Sequence, residues 1–226
     1  MRLELFSAIA PKYDLLNHLL SLGIDRRWRR TLIDRAKIQP GERVLDLCAG
    51  TGDIAIEIAR RGCAGEVVGV DLSGRMLELA QQKIERRGLG GKITLQEGDC
   101  LKLPFEDRSF DVVIIGFGLR NLADYERGIA EMARMLKEGG RLLILEFSLP
   151  QNPLLSGPYR LYLDKFIPAI GGLISGKRNA YRYLASSIQG FLEREEVLGL
   201  LKAQGLRDLR LWELTGGIAS IYRGER

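Results

Sequence analysis

The stretch V-L-D-L-C-A-G-T-G-D-I-A, Val44 to Ala55, decides the fold. A short apolar run turns through two glycines into a helical pattern. Glycine lets a backbone turn sharply from strand to helix and approach a ligand closely. Gly50-x-Gly52-x-x-Ala55 fits the spacing G-x-G-x-x-G/A, and Asp71 follows about 20 residues on, at the end of the next apolar run. Alone, that spacing is a weak signal.

The rest of the chain gives it context. R-V-L-D-L is followed by the helical D-I-A-I-E-I-A-R-R, and E-V-V-G-V-D by S-G-R-M-L-E-L-A-Q-Q-K-I-E-R-R. K-I-T-L-Q-E, F-D-V-V-I-I-G and R-L-L-I-L-E-F continue the series, with a helix predicted over Glu126–Lys137 and stopped by E-G-G. Short continuous apolar strands alternating with amphipathic helices predict an α/β fold, a mostly parallel sheet covered on both faces. After Phe147 the alternation breaks. Residues 148–192 carry Pro150, Pro153, Pro158 and Pro168 among Tyr159, Tyr162, Tyr181 and Tyr183, which reads as an insertion within a single domain, 1–226. A helix near Arg194–Ala203 and two β-type runs, expected to pair antiparallel at the sheet edge, close the chain. Residues 1–40 are helical in pattern.

Composition bounds the function. The chain has 226 residues, 46% hydrophobic and 28% charged, with net charge +5: an ordinary globular make-up, mildly basic. Cys48, Cys63 and Cys100 lack C-x-x-C spacing and there is one histidine, so neither a zinc site nor a disulfide framework is expected. No metal is expected. The N-terminus is too short and charged for a signal peptide, and no window offers a membrane span. Phe166–Ile174 is apolar but broken by Pro168 and Gly171-Gly172, and reads as a bent buried or interfacial segment. A cytoplasmic chain, at most peripheral at the inner face of the cell membrane, is the expectation. No nucleic-acid recognition module is seen.

Charge refines the ligand. A dinucleotide puts its pyrophosphate at a helix N-terminus, but Asp46 and Asp53 flank this loop and would repel it. They suit a ligand with an ammonium and no phosphate, such as S-adenosylmethionine (SAM). Asp71 is placed for ribose hydroxyls, Asp99 for an adenine amino group and the Cys100 amide for the ring, all at strand C-terminal ends. The plain alternatives are that Asp53 caps its helix, that Asp46 bonds loop amides, and that Asp71 and Asp99 are strand-end turns.

L-D-L-C-A-G-T-G-D and G-V-D-L-S resemble class I SAM-dependent methyltransferases. F-S-A-I-A-P-K-Y-D-L-L-N-H-L-L-S-L-G-I-D-R-R-W-R, Phe6 to Arg29, together with F-G-L-R-N-L and the tail L-T-G-G-I-A-S-I-Y-R-G, resembles more narrowly the quinone C-methyltransferases of the UbiE/MenG/COQ5 group. The resemblance implies a Rossmann-like, seven-stranded, mostly parallel sheet with a reversed final hairpin. It implies methyl transfer from SAM to the ring carbon of a polyprenylated quinol, demethylmenaquinol of menaquinone biosynthesis before a benzoquinol of ubiquinone synthesis. Carried over, the SAM contacts fall on Thr51, Asp71, Asp99 and Cys100, with Gly50, Gly52 and Leu72 in the same motifs. Gly116 stands where Ser is frequent, and His18 is not expected to be a catalytic base.

The resemblance gives G-F-G-L-R-N, Gly116 to Asn121, a task. A quinol carbon becomes nucleophilic when its hydroxyl, which titrates near 10 like Tyr, loses a proton. Arg120 would stabilise the developing oxyanion, and Asn121 would orient the ring oxygen or a water. Tyr13 and Asp14 would close the site, Asp14 as proton acceptor. Alternatively, Arg120 pairs with Asp124 or Asp111, Asn121 caps a helix starting near Ala123, and Tyr13 packs. Leu154, Leu155, Tyr159, Tyr162, Phe166, Ile167 and Ile170 would wall a lipid pocket. R-R-W-R-R, Arg26 to Arg30, suits an anionic membrane surface with Trp28 at the interface, or else is a solvated helix face over one buried Trp. A homodimer is open, as is a SAM-binding partner protein without turnover.

Overall fold

The computed structural model describes residues 18–226. α1 (Ile24–Ala36) enters the sheet at β1 (Arg43–Leu47). Then follow α2 (Asp53–Arg61), β2 (Glu66–Asp71), α3 (Gly74–Arg86), β3 (Ile93–Glu97), β4 (Phe110–Gly116), α4 (Tyr125–Met135) and β5 (Leu136–Phe147). A helical segment comes next: α5 (Pro153–Leu161), a π turn (Tyr162–Phe166), α6 (Ile167–Ser175) and α7 (Arg178–Gln189). α8 (Arg194–Ala203), β6 (Arg207–Leu214) and β7 (Ala219–Glu225) complete the chain.

The strands form one seven-stranded sheet in the order β3-β2-β1-β4-β5-β7-β6. β1 to β5 are parallel; β7 runs antiparallel to both β5 and β6. The order reverses between β1 and β4, which opens a crevice at their C-terminal ends.

The continuous apolar strands are explained by a core on each face. Val112 and Ile114 of β4 pack with α1 and α2 through Trp28, Leu32, Ile54 and Ile58. Val113 and Ile115 point the other way, onto Ile129 and Met132 of α4 and Val197 and Leu201 of α8. Alternate side chains face opposite layers, so strands covered on both faces are apolar at nearly every position.

The helix predicted through Lys137 stops at Met135. Leu136 is extended (φ −74°, ψ 134°) and pairs in register with Phe110, so sheet pairing overrides helical pattern there. Its start also differs from expectation. Asp124, not Asn121, caps α4, its Oδ1 accepting from the Arg127 amide at 2.9 Å.

Candidate active site

Two cavities lie at the C-terminal edge of the sheet. The smaller, about 140 Å³, is lined by the ends of four parallel strands: Cys48 and Gly50 after β1, Asp71 and Leu72 after β2, Asp99 and Cys100 after β3, Gly116 to Gly118 after β4, with Asn121. The larger, about 550 Å³, is walled by Trp28 and Arg29 of α1, Arg120, Phe147 and the α5–α7 segment. Phe117 lines both.

In the smaller cavity Asp71 organises the loops. Its carboxylate accepts from the Gly50 amide at 2.8 Å and the Ser73 amide at 2.9 Å. Burial pushes its pKa up, against the pull of the amides of Ser73, Gly50 and Leu72. Each carboxylate oxygen has lone pairs to spare for hydroxyl donors. Asp99 accepts from the Leu101 amide at 2.9 Å. Two carboxylates and no lysine or arginine line this cavity among the described residues. A nucleoside without phosphates fits such a wall; a pyrophosphate does not. Gly50 has φ +55°, and a Cβ there would meet nothing closer than 3.9 Å, so its backbone, not its lack of bulk, is what the turn requires. Cys48 and Cys100 place their sulfurs 3.5 Å apart on the wall.

The other predicted cofactor residues sit behind the wall. Asp46 is 1% exposed and its Oδ2 accepts from the Ala55 amide at 3.0 Å, tying β1 to α2. Burial raises its pKa to about 7. Thr51 Oγ1 takes a hydrogen bond from Lys83 Nζ at 3.0 Å. Gly52, at φ 79°, is the N-cap of α2, so Asp53 is not the cap. Asp53 is paired instead, with Lys83 at 2.5 Å and Arg29 at 4.0 Å. Burial opposes its ionisation, but Arg29 and Lys83 outweigh it and hold the carboxyl below its ordinary value. Asp46 is thus half neutral near pH 7 and Asp53 is compensated, whereas Asp71 and Asp99 give the cavity its acidic character.

Neither sequence alternative for Arg120 holds. Its partner is Glu146 of β5, fully buried, with Nη1 to Oε1 at 2.6 Å. Glu146 also accepts from the Arg120 amide at 3.1 Å and the Phe147 amide at 2.9 Å. Nη1 donates to the Phe117 carbonyl at 2.6 Å, and Nε donates to Ser187 Oγ at 3.4 Å. Nη2 has no hydrogen-bond partner among the described residues. Asn121 donates to the Phe117 carbonyl at 3.3 Å and accepts from the Tyr183 hydroxyl at 3.0 Å. Thus α7 reaches both members of the Arg-Asn pair.

Gly116 and Gly118, on the wall of the smaller cavity, leave no room for a Cβ. A Cβ would lie 2.4 Å from Ile54 Cδ1 at the first and 2.5 Å from Cys48 Cβ at the second. Tyr13 and Asp14 lie outside the described residues. The R-R-W-R-R cluster divides. Trp28 is buried, donating to Thr215 Oγ1 at 2.9 Å, and Arg29 turns inward, while Arg26, Arg27 and Arg30 are exposed. Trp28 is therefore a core residue and not an interfacial anchor. Leu155, Tyr159, Tyr162, Ile167 and Ile170 line the large cavity as expected, whereas Leu154 and Phe166 face outward.

Glu146, Phe117 and Tyr183 were not anticipated. Glu146 had a signal, as a lone carboxylate within the apolar run L-L-I-L-E-F demands a buried cation. Phe117 and Tyr183 had none, since both depend on how the helical segment folds over the sheet.

Known proteins resemble this chain along its whole length. A C-methyltransferase of Citrifermentans bemidjiense named for ubiquinone/menaquinone biosynthesis, UbiE, is 46% identical over 98% of this chain and 94% of its own. The demethylmenaquinone methyltransferase of Thermus thermophilus is 46% identical over 98% of this chain and 100% of its own. Among solved structures, a SAM-dependent methyltransferase of Thermotoga maritima superposes with TM-score 0.70 at 18% identity, covering 100% of this chain and 99% of that one, which supports the fold. The profile described as the ubiE/COQ5 methyltransferase family matches residues 2–226, and the chain belongs to that family as a SAM-dependent methyltransferase.

Proposed function

We propose that this enzyme methylates a ring carbon of a polyprenylated quinol, converting demethylmenaquinol to menaquinol. The observation that carries the reading is a pair of chambers that share Phe117 on their walls, one of about 140 Å³ with an acidic lining, the other large and mostly apolar, with Arg29 and Arg120 on its wall, each paired with a carboxylate. A chamber of 550 Å³ falls within the range of about 300–1,000 Å³ that holds drug-sized ligands. The relatives named for quinone biosynthesis support the same acceptor class.

SAM, when bound, supplies a methyl group on a sulfonium sulfur. The smaller chamber holds its nucleoside: Asp71 toward the ribose, Asp99 and the Cys100 amide toward the base, Leu72 along the apolar flank, Gly50, Thr51 and Gly52 shaping the loop and Asp46 fixing it from behind. Arg120 acts on the acceptor. Its Nη1 is held by Glu146 and Phe117, so Nη2 is the arm left to donate to a quinol oxygen in the larger chamber. The Arg120–Glu146 pair is neutral as a unit. Its effect on the developing oxyanion comes from fixed donors in a water-poor site. Asn121, steadied by Tyr183, orients the same oxygen or a water beside it. Tyr13 and Asp14, outside the described residues, keep the roles that the resemblance implies, Asp14 as the proton acceptor. Residues 148–192 form the lid, and the prenyl tail lies against its inner face. The partners are the quinol and the membrane that holds it, at the cytoplasmic side.

Competition between demethylmenaquinol and a ubiquinone-type benzoquinol for labelled methyl tests the acceptor. The proposal predicts that label enters the naphthoquinol preferentially. Preference for the benzoquinol would move the enzyme to ubiquinone synthesis, and label in neither would remove the quinol reading.

A further inference from the structure

Exposed large apolar side chains are concentrated in one place. Of eight among the described residues, five sit on 153–175 and two on the turn at Leu19–Leu22. The Tyr162 hydroxyl ties that turn to the segment by donating to the Leu20 carbonyl at 2.5 Å. Residues 153–175 form one rod, because the joints at Leu161, Tyr162, Phe166 and Ile167 all keep right-handed helical backbone.

Four of these side chains form a stripe along the rod. Leu154, Leu161, Phe166 and Leu173 are 82%, 55%, 53% and 88% exposed. Seven residues of α-helix return a side chain to within about 20° of its start, which aligns Leu154 with Leu161 and Phe166 with Leu173. Five α-helical residues would then throw Phe166 about 140° off the line. The π turn, with its wider i→i+5 ring, brings it back to within about 50°. The opposite face is also apolar: Leu163 and Ile167 are buried, and Tyr159 and Ile170 line the large chamber. A helix apolar on two sides has a second neighbour to meet.

Charge identifies that neighbour. Arg160 and Lys165 each precede a stripe residue by one position, and Lys177, Arg178 and Arg182 follow the rod; all five are exposed. Asp164 is the one acid between residues 151 and 189. A second copy of the same face would bring like charges together. An anionic bilayer complements both the stripe and its flanks. No helix among the described residues is long and apolar enough to cross a membrane, so the rod lies along the interface.

We propose that the outer face of the 153–175 rod docks on an anionic lipid bilayer. The inner face of the same helix walls the quinol chamber, so docking sets the bilayer about one helix diameter, 10–12 Å, from it. The purpose of docking rests on the prenylated-quinol reading; the surface itself does not.

Flotation of the full chain with phosphatidylcholine vesicles, with and without phosphatidylglycerol, tests this. Wild type is expected to float with the anionic vesicles and to be released by salt. Leu161→Ser/Phe166→Ser/Leu173→Ser and Arg160→Glu/Lys165→Glu are each expected to bind about tenfold more weakly or less, with methylation of a short-tailed, soluble quinol unchanged. Wild type left in solution with both vesicle types, or variants that float as wild type does, would overturn the proposal. A stripe-dependent dimer without flotation, seen by analytical ultracentrifugation, would give the face to a second copy. Loss of turnover on the short-tailed quinol by wild type would instead count against the substrate reading and leave flotation to be judged separately.

Discussion

Arg120 divides its guanidinium between structure and chemistry, and substitution should separate the two. Arg120→Ala leaves Glu146 buried without a cation, a defect of about 3–5 kcal/mol. That variant should show a lowered melting temperature as well as lost activity. Arg120→Lys keeps a cation beside Glu146 but has no second planar arm. Its expected outcome is a fall in kcat of about 100-fold with SAM affinity unchanged by calorimetry. Retained kcat would remove Arg120 from the chemistry. Asp46 offers a second test. Its pKa in the folded protein is raised from 3.8 to about 7 by burial, with the Ala55 amide opposing. A raised value means that the protonated form is the one the fold favours. The contribution is complete below about pH 4 and is lost as pH rises through about 7. Asp46→Asn carries no such dependence. The variant should gain stability relative to wild type as pH rises from about 4 to 7, read as urea midpoints at the two ends. A constant difference between the two proteins would contradict the buried, near-neutral carboxyl.

Packing between α6 and α7 sets one wall of the large chamber, to which Ile167, Ile170, Ala180 and Tyr181 contribute. Gly171 of α6 faces Tyr181 of α7, and a Cβ there would lie 2.2 Å from the ring. Gly171→Ala should therefore force the two helices apart, at a cost of about 1–3 kcal/mol. Amide exchange should quicken over 167–189 while the β1–β5 amides stay protected; equal protection throughout would contradict the packing described. At this scale the sequence was readable where the rule is local. Alternating apolar runs and helical patterns located the five parallel strands, and the edge hairpin was expected. The strand order, with β7 between β5 and β6, depends on long-range pairing that no short segment encodes. Leu136 went wrong for the same reason, since its partner Phe110 lies 26 residues earlier in the chain.

For the whole molecule, the sheet edge brings together residues that are far apart in sequence. Gly50, Asp71, Asp99 and Cys100 were legible because each follows an apolar run, and the crevice at the reversal of strand order collects such ends. Glu146 was not matched to Arg120, because proximity in sequence favoured Asp124 and Asp111; the pairing of Gly116 with Leu145 brings the β5 end beside the turn after β4. An aromatic among arginines reads either as an interfacial anchor or as one buried Trp under a solvated helix face, and the fold takes the second course, burying Trp28 against Phe117 and Phe147 with ring centroids 6.1 and 6.0 Å away. Most of the large apolar side chains that face solvent lie on 153–175 instead. If the two chambers serve one reaction, as proposed, a methyl group bound in one must reach a quinol held in the other. In a single-turnover experiment, with enzyme in excess over methyl-labelled SAM and demethylmenaquinol present, the label is expected on the quinol ring carbon; SAM bound to the enzyme with its label never transferred would overturn the joint role of the chambers.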